Sequence, residues 1–252
     1  MICAARSGFE RRARPLLGTF VDIGVRAEAS AGLIDAAFAE IEALQRCLSR
    51  FDAASDIARF NALPAGERLT PSAATLEVLS TAQELFVASA GLFDASAGTA
   101  PDGWACRDGW LHKLHPRTQL DLGGIGKGFA VDRAVQRLVE RGAAAGWVNA
   151  GGDLRVFGDI ELPITLRDEP GRGSRPFGGL CDGAFASSEY GPGARARLAG
   201  TPCRAASRHG ATRVSVAAPL CVWADALTKV VALSGDTSHP LLARHNALAW
   251  LH

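Results

Sequence analysis

Hydrophobic and polar positions alternate near the start of the chain. Over Gly18-Thr19-Phe20-Val21-Asp22-Ile23-Gly24-Val25 the apolar residues return with a period of two, with Phe20 or Val21 starting one face. This pattern predicts a half-buried β-strand. Residues 1–14 precede the strand and are expected to form a flexible, solvated N-terminal arm. Four arginines lie in that arm: Arg6, Arg11, Arg12 and Arg14.

Spacings of three and four residues then predict helices. Within residues 31–48, apolar side chains recur at these spacings, at Ile34, Phe38, Ile41, Leu44 and Leu48. This pattern predicts an amphipathic helix with one core-facing stripe. Ser55 or Asp56 is expected to cap a short helix that contains Ile57, Phe60 and Asn61. A second long helix is predicted to start at Thr70-Pro71-Ser72, with Pro71 in its first turn, and to end at Ala90-Gly91.

The second half of the chain mixes short strands with helices. Residues 98–110 are expected to form a loop, and residues 168–210 mostly loops, because Gly, Pro, Arg and Ser dominate there. Strands are predicted at 120–122, 147–149 and 214–217, with 154–157 and 162–166 as antiparallel partners. Helices are predicted after the glycines of residues 123–128, over 224–231 and near the C-terminus. Without strict βαβ alternation, this order predicts an α+β fold.

Composition and charge narrow the function classes. The 252 residues are 48% hydrophobic and 21% charged, which is typical of a globular protein and excludes disorder, collagen and coiled coil. Lysine and arginine number 27 against 26 aspartates and glutamates, a net charge of +1. Because such a chain has no long-range positive field to attract a polyanion, nucleic acid is not an expected partner.

The sequence also bears on location and metal chemistry. No apolar run approaches the ~20 residues that span a bilayer, so no transmembrane segment is predicted. Residues 1–5 hold too few apolar side chains for a secretory leader, and we expect a cytoplasmic protein, or a periplasmic one if a leader precedes this sequence. The six cysteines form no C-x-x-C pair of the kind that zinc sites use.

One segment carries the strongest chemical signal, Leu120-Asp121-Leu122-Gly123-Gly124-Ile125-Gly126-Lys127-Gly128-Phe129. It is predicted as a strand, a glycine-rich turn and a helix start. Glycines let a ligand approach the backbone, and a helix N-terminus attracts anions, to which Lys127 adds a full charge. The spacing fits neither a P-loop nor the Rossmann fingerprint. An ordinary glycine-rich turn against a strand stays open as the alternative interpretation.

Three further candidates each have a structural alternative. Asn149-Ala150-Gly151-Gly152-Asp153 ends a predicted strand and is typical of a tight turn as well as of a polar site. Asp225 lies where a helix is predicted to begin, so it is either a helix cap or a Mg²⁺ ligand beside a phosphate. His209 precedes the strand at 214–217 and is the one histidine considered for proton transfer.

With these residues in hand, the chain resembles the FAD:protein FMN transferase (ApbE-type) family over nearly its whole length. The motifs that carry the resemblance are Leu17-Gly18-Thr19, Ser49-Arg50-Phe51 through Ser55-Asp56, Arg59-Phe60-Asn61, Gly91-Leu92-Phe93-Asp94, Asp121 through Gly128, Val148 through Asp153, and Ala224-Asp225-Ala226-Leu227. The resemblance implies mixed or antiparallel sheets flanked by helices, a T-fold-like architecture. It implies a single domain over residues 1–252, or two interleaved subdomains.

The resemblance also implies an activity and a set of site residues. The chain would move FMN from FAD to a Thr or Ser hydroxyl of an acceptor flavoprotein, with Mg²⁺ assisting and AMP leaving. The residues expected to line the FAD site are Leu17, Phe51, Leu92, Phe93 and Asp94, with Asp121 and Lys127 on its polar parts. The main-chain carbonyl of Gly124, Asp225 and Thr228 would hold Mg²⁺. Asp225 and His209 are the expected catalytic residues.

Two departures from the family pattern keep other functions open. The family usually has a Thr four residues after the Asp, where this chain has Lys229, with Thr228 one position earlier. An ammonium group cannot coordinate a cation, and one pointing inward would oppose Mg²⁺. The usual His-x-x-Asp-Pro-x-Thr-Gly segment is missing from residues 187–212, which keep only a remnant of it in Ser187-Ser188-Glu189-Tyr190. The alternatives are a non-catalytic FAD-binding member of the family and an FAD pyrophosphatase.

Overall fold

The computed structural model describes residues 8–26, 32–168, 173–190 and 213–252. The strands in these ranges are β1 Phe9–Leu16, β2 Thr19–Arg26, β3 Arg68–Leu69, β4 Trp104–Arg107, β5 Trp110–Lys113, β6 Gly146–Ala150, β7 Asp153–Asp168, β8 Gly173–Glu189, β9 Arg213–Ala218 and β10 Leu248–Leu251. The helices are α1 Leu33–Leu48, α2 Asp56–Ala62, α3 Ala73–Ala88, α4 Gly126–Glu140, α5 Cys221–Ser234 and α6 Pro240–Arg244.

Two antiparallel sheets organise these elements. The larger has seven strands in the order β1-β2-β6-β7-β8-β9-β10, and the smaller has three in the order β3-β5-β4. Every strand pair in both sheets runs antiparallel. Helices α1, α4 and α5 pack on the larger sheet and on one another. This arrangement confirms the predicted α+β class.

Alternate residues of the central strands enter two separate apolar clusters. Val148 and Ala150 of β6 join the main core under the helices, whereas Trp147, directly before Val148, joins a smaller cluster. Because successive side chains of a strand point to opposite faces, the two clusters lie on opposite faces of the larger sheet. Aromatic pairs hold the smaller cluster, such as Phe177 and Trp250, whose ring centroids lie 5.1 Å apart. The main core positions the residues of the candidate site.

The predicted N-terminal arm is a strand over its described part. Phe9–Leu16 form β1, the edge strand paired with β2. Its arginines are held by ion pairs, because Arg11 lies 2.6 Å from Asp22 and Arg14 lies 2.6 Å from Asp35 of α1. An edge strand fixed by charge pairs rather than by buried apolar residues leaves no hydrophobic alternation to detect. Arg6 lies outside the described residues.

Residues 98–110, predicted as a loop, hold β4 and the first residue of β5. The two strands form a hairpin in which Arg107 pairs with Trp110, and the two residues between them, Asp108 and Gly109, have φ values of 51° and 78°. An Asp-Gly pair at positive φ is the usual two-residue hairpin turn. The signal was therefore in the sequence, within a segment whose polar composition pointed to a loop.

The strand predicted at 120–122 is absent, and a side chain replaces its partner. Leu120 donates its amide N–H to Asn61 Oδ1 at 2.7 Å, and Asn61 Nδ2 donates to the Leu120 carbonyl at 2.9 Å. One amide thus satisfies both backbone groups, as a neighbouring strand would. Asn61 thereby fixes the segment that leads to Asp121.

The strands predicted at 154–157 and 162–166 are one strand rather than partners. Both belong to β7, whose pairing with β8 shifts register between Val156 and Glu161. Residues 173–189, predicted mostly as loops, form β8. The outer half of β8, residues 173–182, is glycine-rich and largely exposed. Neither composition nor periodicity therefore reveals this strand, because its backbone is ordered by hydrogen bonds to β7.

The predicted helices are confirmed with small changes at their ends. Helix α1 buries the expected stripe, and Ser55 caps α2 by accepting the Ala58 N–H at 3.0 Å. Helix α3 begins at Ala73 with Ser72 as its cap, so Pro71 lies before the helix rather than in its first turn. Among the described residues, no helix is long and apolar enough to cross a membrane.

Candidate functional site

A tight glycine-rich turn leads into α4 and forms one wall of the candidate site. The amides of Ile125 and Gly126 both donate to the Leu122 carbonyl, at 3.1 and 2.7 Å. The Gly123 amide donates to Asp121 Oδ1 at 2.9 Å. Helix α4 therefore starts directly at the turn, with Gly126 as its first residue.

Helix α5 crosses the start of α4 at a point where only glycine fits. A Cβ on Gly128 would lie 2.3 Å from the Cys221 carbonyl oxygen and 2.8 Å from Asp225 Cβ. Gly128 thus serves helix packing rather than ligand approach. The contact brings Asp225 to the first turn of α4, where its Oδ2 accepts the Gly128 N–H at 3.1 Å.

Asp225 does not cap its own helix, which was the structural alternative for this residue. Asp132 of α4 performs that role for α5, because its carboxylate accepts the N–H groups of Cys221 and Val222 at 2.9 and 2.8 Å. Arg155 of β7 pairs with Asp132 at 2.8 Å. Asp225 lies in the second turn of α5, fully buried, with its carboxylate turned toward α4.

Lys229 points inward and binds Asp225. Its ammonium group contacts Asp225 Oδ1, donates to the Asp225 main-chain carbonyl at 3.0 Å, and lies 3.3 Å from Ser188 Oγ of β8. A Cβ on Gly124 would lie 3.4 Å from Lys229 Cε and 3.5 Å from Phe93 Cε2. The Lys229 side chain therefore lies between the glycine-rich turn and Asp225.

Lys127 forms the second buried ion pair of the site. Its ammonium group contacts Asp153 Oδ2 at the start of β7, while a third of its side chain stays exposed. Asn149 Oδ1 accepts the Gly152 N–H at 2.9 Å, which is the tight turn expected as the structural alternative for this segment. The turn delivers Asp153 into the site. Asn149 and Gly152 thus form the tight turn, whereas Asp153 belongs to the polar site.

Two aspartates and two lysines make the buried charge of this cluster zero. Burial alone would raise the pKa of Asp225, but the charges of Lys127 and Lys229 outweigh it and hold that pKa below its ordinary value. Burial alone would lower the pKa of Lys229, but Asp225 outweighs it and raises that pKa above the ordinary value. Lys127 behaves in the same way, with its pKa raised by Asp225 and Asp153 against the effect of burial.

Thr228 lies beside the cluster and is engaged elsewhere. Its Oγ1 donates to the Asp225 main-chain carbonyl at 2.6 Å and lies 2.9 Å from Ser188 Oγ. The Tyr190 hydroxyl also donates to it, at 3.3 Å. Burial raises the pKa of Tyr190, so this hydroxyl keeps its proton. The Thr228 oxygen therefore serves contacts between α5 and β8.

An open groove adjoins the other end of the glycine-rich turn. Asp121, whose Oδ1 holds Gly123, pairs through Oδ2 with Arg50 at 3.2 Å, and Arg50 stacks over Phe51 with 4.3 Å to the ring centroid. The Phe51 side chain is 82% exposed. The groove has a volume of about 520 Å³ and is lined by Arg50, Phe51, Ala53, Ala58, Arg59, Ala62 and Leu63.

The remaining predicted site residues have varied surroundings. Phe93 is buried beside Gly124, and Leu92 next to it is partly buried against the main core. The Asp94 carboxylate accepts from Ser96 and from the Gly98 amide, at 2.7 to 2.9 Å, and so stabilises its own turn. Leu17 turns the chain between β1 and β2 at φ 55°. His209 lies outside the described residues.

Three residues of the site were not predicted from the sequence. They are Arg50, which links Phe51 to Asp121, and Ser188 and Tyr190, which bond to Lys229 and Thr228. The motif around residue 50 was noted without a role for its arginine. Residues 187–190 were noted only as a remnant of a family segment, and no local signal reveals that β8 brings them against α5.

The residues present do not fit a divalent metal ion. Both carboxylate oxygens of Asp225 are engaged, one by Lys229 and one by the Gly128 N–H, and the Thr228 oxygen faces β8. The Lys229 side chain packs beside Gly124, the third expected ligand. Within the described ranges, no three His, Cys, Asp or Glu side chains form a group that could hold a metal. The side-chain oxygens of the predicted Mg²⁺ set are therefore engaged by other groups.

One protein-family model matches nearly the whole chain. The family model described as the ApbE family matches residues 17–110 and 102–251. No curated protein matches the chain at a significant level.

Several solved structures share the fold. The flavinyl transferase ApbE of Pseudomonas stutzeri, in its apo form, is 20% identical with a TM-score of 0.79, covering 96% of this chain and 90% of that one. The flavin transferase ApbE of Vibrio cholerae is 20% identical with a TM-score of 0.80, covering 96% and 93%. An ApbE protein of Thermotoga maritima has the same identity and TM-score, covering 96% and 94%.

Proposed function

The chain belongs to the ApbE family, and from that premise we propose that it is an FAD:protein FMN transferase. It moves the FMN half of FAD to a Thr or Ser hydroxyl of an acceptor flavoprotein and releases AMP. The observation that carries the proposal is an open groove with an exposed aromatic ring, which Arg50 and Asp121 join to the glycine-rich turn beside the buried charged cluster. Two of the structural relatives are flavin transferases.

The site offers each part of FAD a chemically matched surface. Phe51 is exposed in the groove, and an aromatic ring in that position suits a flavin or adenine ring. Asp121 at the groove's edge offers a carboxylate to hydroxyl groups. The pyrophosphate suits the N-terminus of α4, where the helix dipole and the accessible ammonium of Lys127 both favour an anion.

The transfer is a displacement at the FMN phosphorus. The acceptor hydroxyl oxygen forms a bond to this phosphorus, the bond from phosphorus to the bridging oxygen breaks, and AMP leaves with that oxygen. The hydroxyl proton passes to a base, for which His209 stays the proposed residue. Positioning and charge neutralisation supply the catalysis in such reactions, and Lys127 supports both. Asp225 acts by holding Lys229 and the first turn of α4.

The family resemblance implies Mg²⁺, but the side chains that would hold the ion are engaged in other contacts. The Asp225 and Thr228 oxygens expected to bind the ion are bonded to Lys229, the Gly128 N–H, Ser188 and Tyr190. The positive charge beside the pyrophosphate comes instead from the chain's own lysines and from α4.

A second candidate function is FAD binding without transfer. Lys229 beside Asp225 favours it, because an ammonium group polarises a phosphate less than a divalent cation does and offers no coordination sites. The absent His-x-x-Asp-Pro-x-Thr-Gly segment favours it too. The two functions differ in whether the bond between the two phosphates of FAD breaks.

One experiment separates these functions. The purified protein is titrated with FAD by flavin fluorescence, then incubated with FAD and a synthetic library of peptides that each carry one Thr or Ser. We expect a peptide whose mass increases by one FMN group, with one AMP released per adduct. FAD binding without adduct or AMP would establish the binding module, and AMP release without peptide would establish the pyrophosphatase. Absence of FAD binding would overturn all three.

A variant pair tests the proposed pyrophosphate contact. Lys127→Met removes the accessible ammonium group, and we expect the Kd for FAD to rise about tenfold or more, since an ionic contact of this kind is worth ~1.5–3 kcal/mol. Arg137→Met is the matched control, because Arg137 lies on the same helix but pairs with Glu40 and Glu140 away from the site. Its Kd should match the wild type. Equal effects of both variants would remove Lys127 from the site.

A further inference from the structure

We infer that the ammonium group of Lys229 occupies the cation position of this site in place of Mg²⁺, so that the chain binds FAD without a divalent metal. The inference rests on the proposed function for the identity of the nucleotide. Its structural part, that the site has its own resident cation, rests on the contacts of Lys229 alone.

The Lys229 ammonium group is saturated by the protein. A lysine has three N–H donors, and this one has three oxygen partners, the Asp225 carboxylate, the Asp225 main-chain carbonyl and Ser188 Oγ. All three are oxygen atoms, which are also the ligands that a hard cation takes. Lys229 thus uses the oxygens of the site as a bound ion would.

Burial makes this arrangement hard to exchange for a metal. The Lys229 side chain is 7% exposed and the Asp225 side chain is fully buried. The lysine stem also fills the space beside Gly124, because a Cβ there would lie 3.4 Å from Lys229 Cε and 3.7 Å from Lys229 Cγ. A divalent ion beside Asp225 would have to displace the stem and would compete with the ammonium group for the same buried carboxylate.

The second lysine leaves a positive group for the ligand. Among the described residues, Asp153 is the one hydrogen-bond partner of the Lys127 ammonium, so two of its three donors are free for a phosphate. A third of the Lys127 side chain is exposed. Lys229 therefore neutralises Asp225, while Lys127 and the N-terminus of α4 face the anion.

The test uses metal binding and thermal stability as well as FAD affinity. Titration calorimetry of Mg²⁺ into the wild-type protein should give no binding at millimolar concentration. Flavin fluorescence titrations should give Kd values for FAD in excess EDTA and in millimolar Mg²⁺ that agree within about twofold. A heat of Mg²⁺ binding, or an FAD affinity at least about tenfold higher with Mg²⁺, would overturn the inference.

Two variants separate the charge of Lys229 from its shape. Lys229→Thr removes the stem and supplies a hydroxyl, and we expect it to unfold at a lower temperature than the wild type and to regain stability in millimolar Mg²⁺. Lys229→Met keeps an unbranched stem and should lose stability without regaining it in Mg²⁺. A Lys229→Thr protein that neither binds Mg²⁺ nor is stabilised by it would count against a cation position at this residue.

Failure of the inference is distinguishable from failure of the proposed function. If no condition gives FAD binding, the proposed function fails, yet the Mg²⁺ titrations of the wild type and Lys229→Thr still decide whether Lys229 fills a cation position. If FAD binds and is transferred only with Mg²⁺, the function stands and the inference is overturned. Should neither Lys229 variant fold, the wild-type titrations decide alone.

Discussion

Gly128 belongs to a motif that predicts ligand binding, but it serves helix packing instead. It lies in a glycine-rich run that predicts anion binding, but the Cys221 carbonyl of α5 occupies the space where its Cβ would be. The close crossing lets Asp225 reach the Gly128 N–H. The glycine therefore supports the site indirectly, through the distance between two helices.

Gly128→Ala is expected to destabilise the protein by about 1–3 kcal/mol, the usual cost of overpacking a core contact. Gly126→Ala is the matched control, since Gly126 lies in the same helical turn and its Cβ would lie 3.5 Å from Leu122 Cβ, an ordinary contact. The control should be neutral or stabilising by up to ~1 kcal/mol, because alanine favours a helix. Urea denaturation of both variants measures the difference, and equal destabilisation would place the tight crossing elsewhere.

Residue types predicted much of the site, and long-range contacts supplied the rest. Asp225, Lys127 and Asp121 were identified because their motifs are local, and the departure at Lys229 was visible as a lysine where the family has a threonine. The bond from Lys229 to Ser188 joins positions 41 residues apart. Periodicity carries no information on such a contact, since it depends on how β8 lies against α5.

At the scale of elements, prediction succeeded where one face of an element is apolar and failed where pairing alone gives order. Helix α1 buries its predicted stripe, and β2 forms over the predicted segment, although its residues 21–25 are buried on both faces rather than on one. The edge strand β1 and the outer part of β8 are largely exposed. Their backbone hydrogen bonds come from neighbouring strands, which a local hydrophobic pattern does not describe.

The contact between Asp132 of α4 and the start of α5 gives a prediction about these two helices. Asp132→Ala removes the acceptor for two N–H groups at the start of α5 and leaves Arg155 without its 2.8 Å partner. A lost helix cap costs ~1 kcal/mol and a broken, mostly buried ion pair costs more, so we expect a loss of about 2–4 kcal/mol in the free energy of unfolding.

Asp35→Ala is the control for this change. Asp35 also lies in the first turn of a helix, but its ion pairs with Arg12 and Arg14 are nearly half exposed. Exposed pairs contribute ~0–1 kcal/mol, so this variant should lose less than ~1 kcal/mol. Chemical denaturation compares the two, and a similar loss in both would mean that Asp132 does not fix the start of α5.

At the scale of the whole molecule, the site joins segments that are far apart in the sequence. Arg50 follows α1, Asp121 precedes α4, Ser188 ends β8 and Lys229 lies in α5. The family motifs, which lie in order along the chain, predicted that Asp121 and Asp225 belong to one site, but they gave no role to Arg50 or Ser188. Since the segments meet only in the folded chain, a ligand bound there stabilises the fold as a unit.

FAD should therefore raise the melting temperature of the entire chain in one transition. A ligand that binds only the folded state at 100 times its Kd adds ~2.7 kcal/mol, and ~2–4 °C per kcal/mol is usual at this size, so we expect a rise of about 5–11 °C. AMP or FMN alone, at the same concentration, should give smaller shifts because each fills part of the site. Scanning calorimetry tests this, and it also tests the single domain predicted for residues 1–252. Two transitions, with only one moved by FAD, would mean that the two apolar clusters on opposite faces of the larger sheet unfold separately.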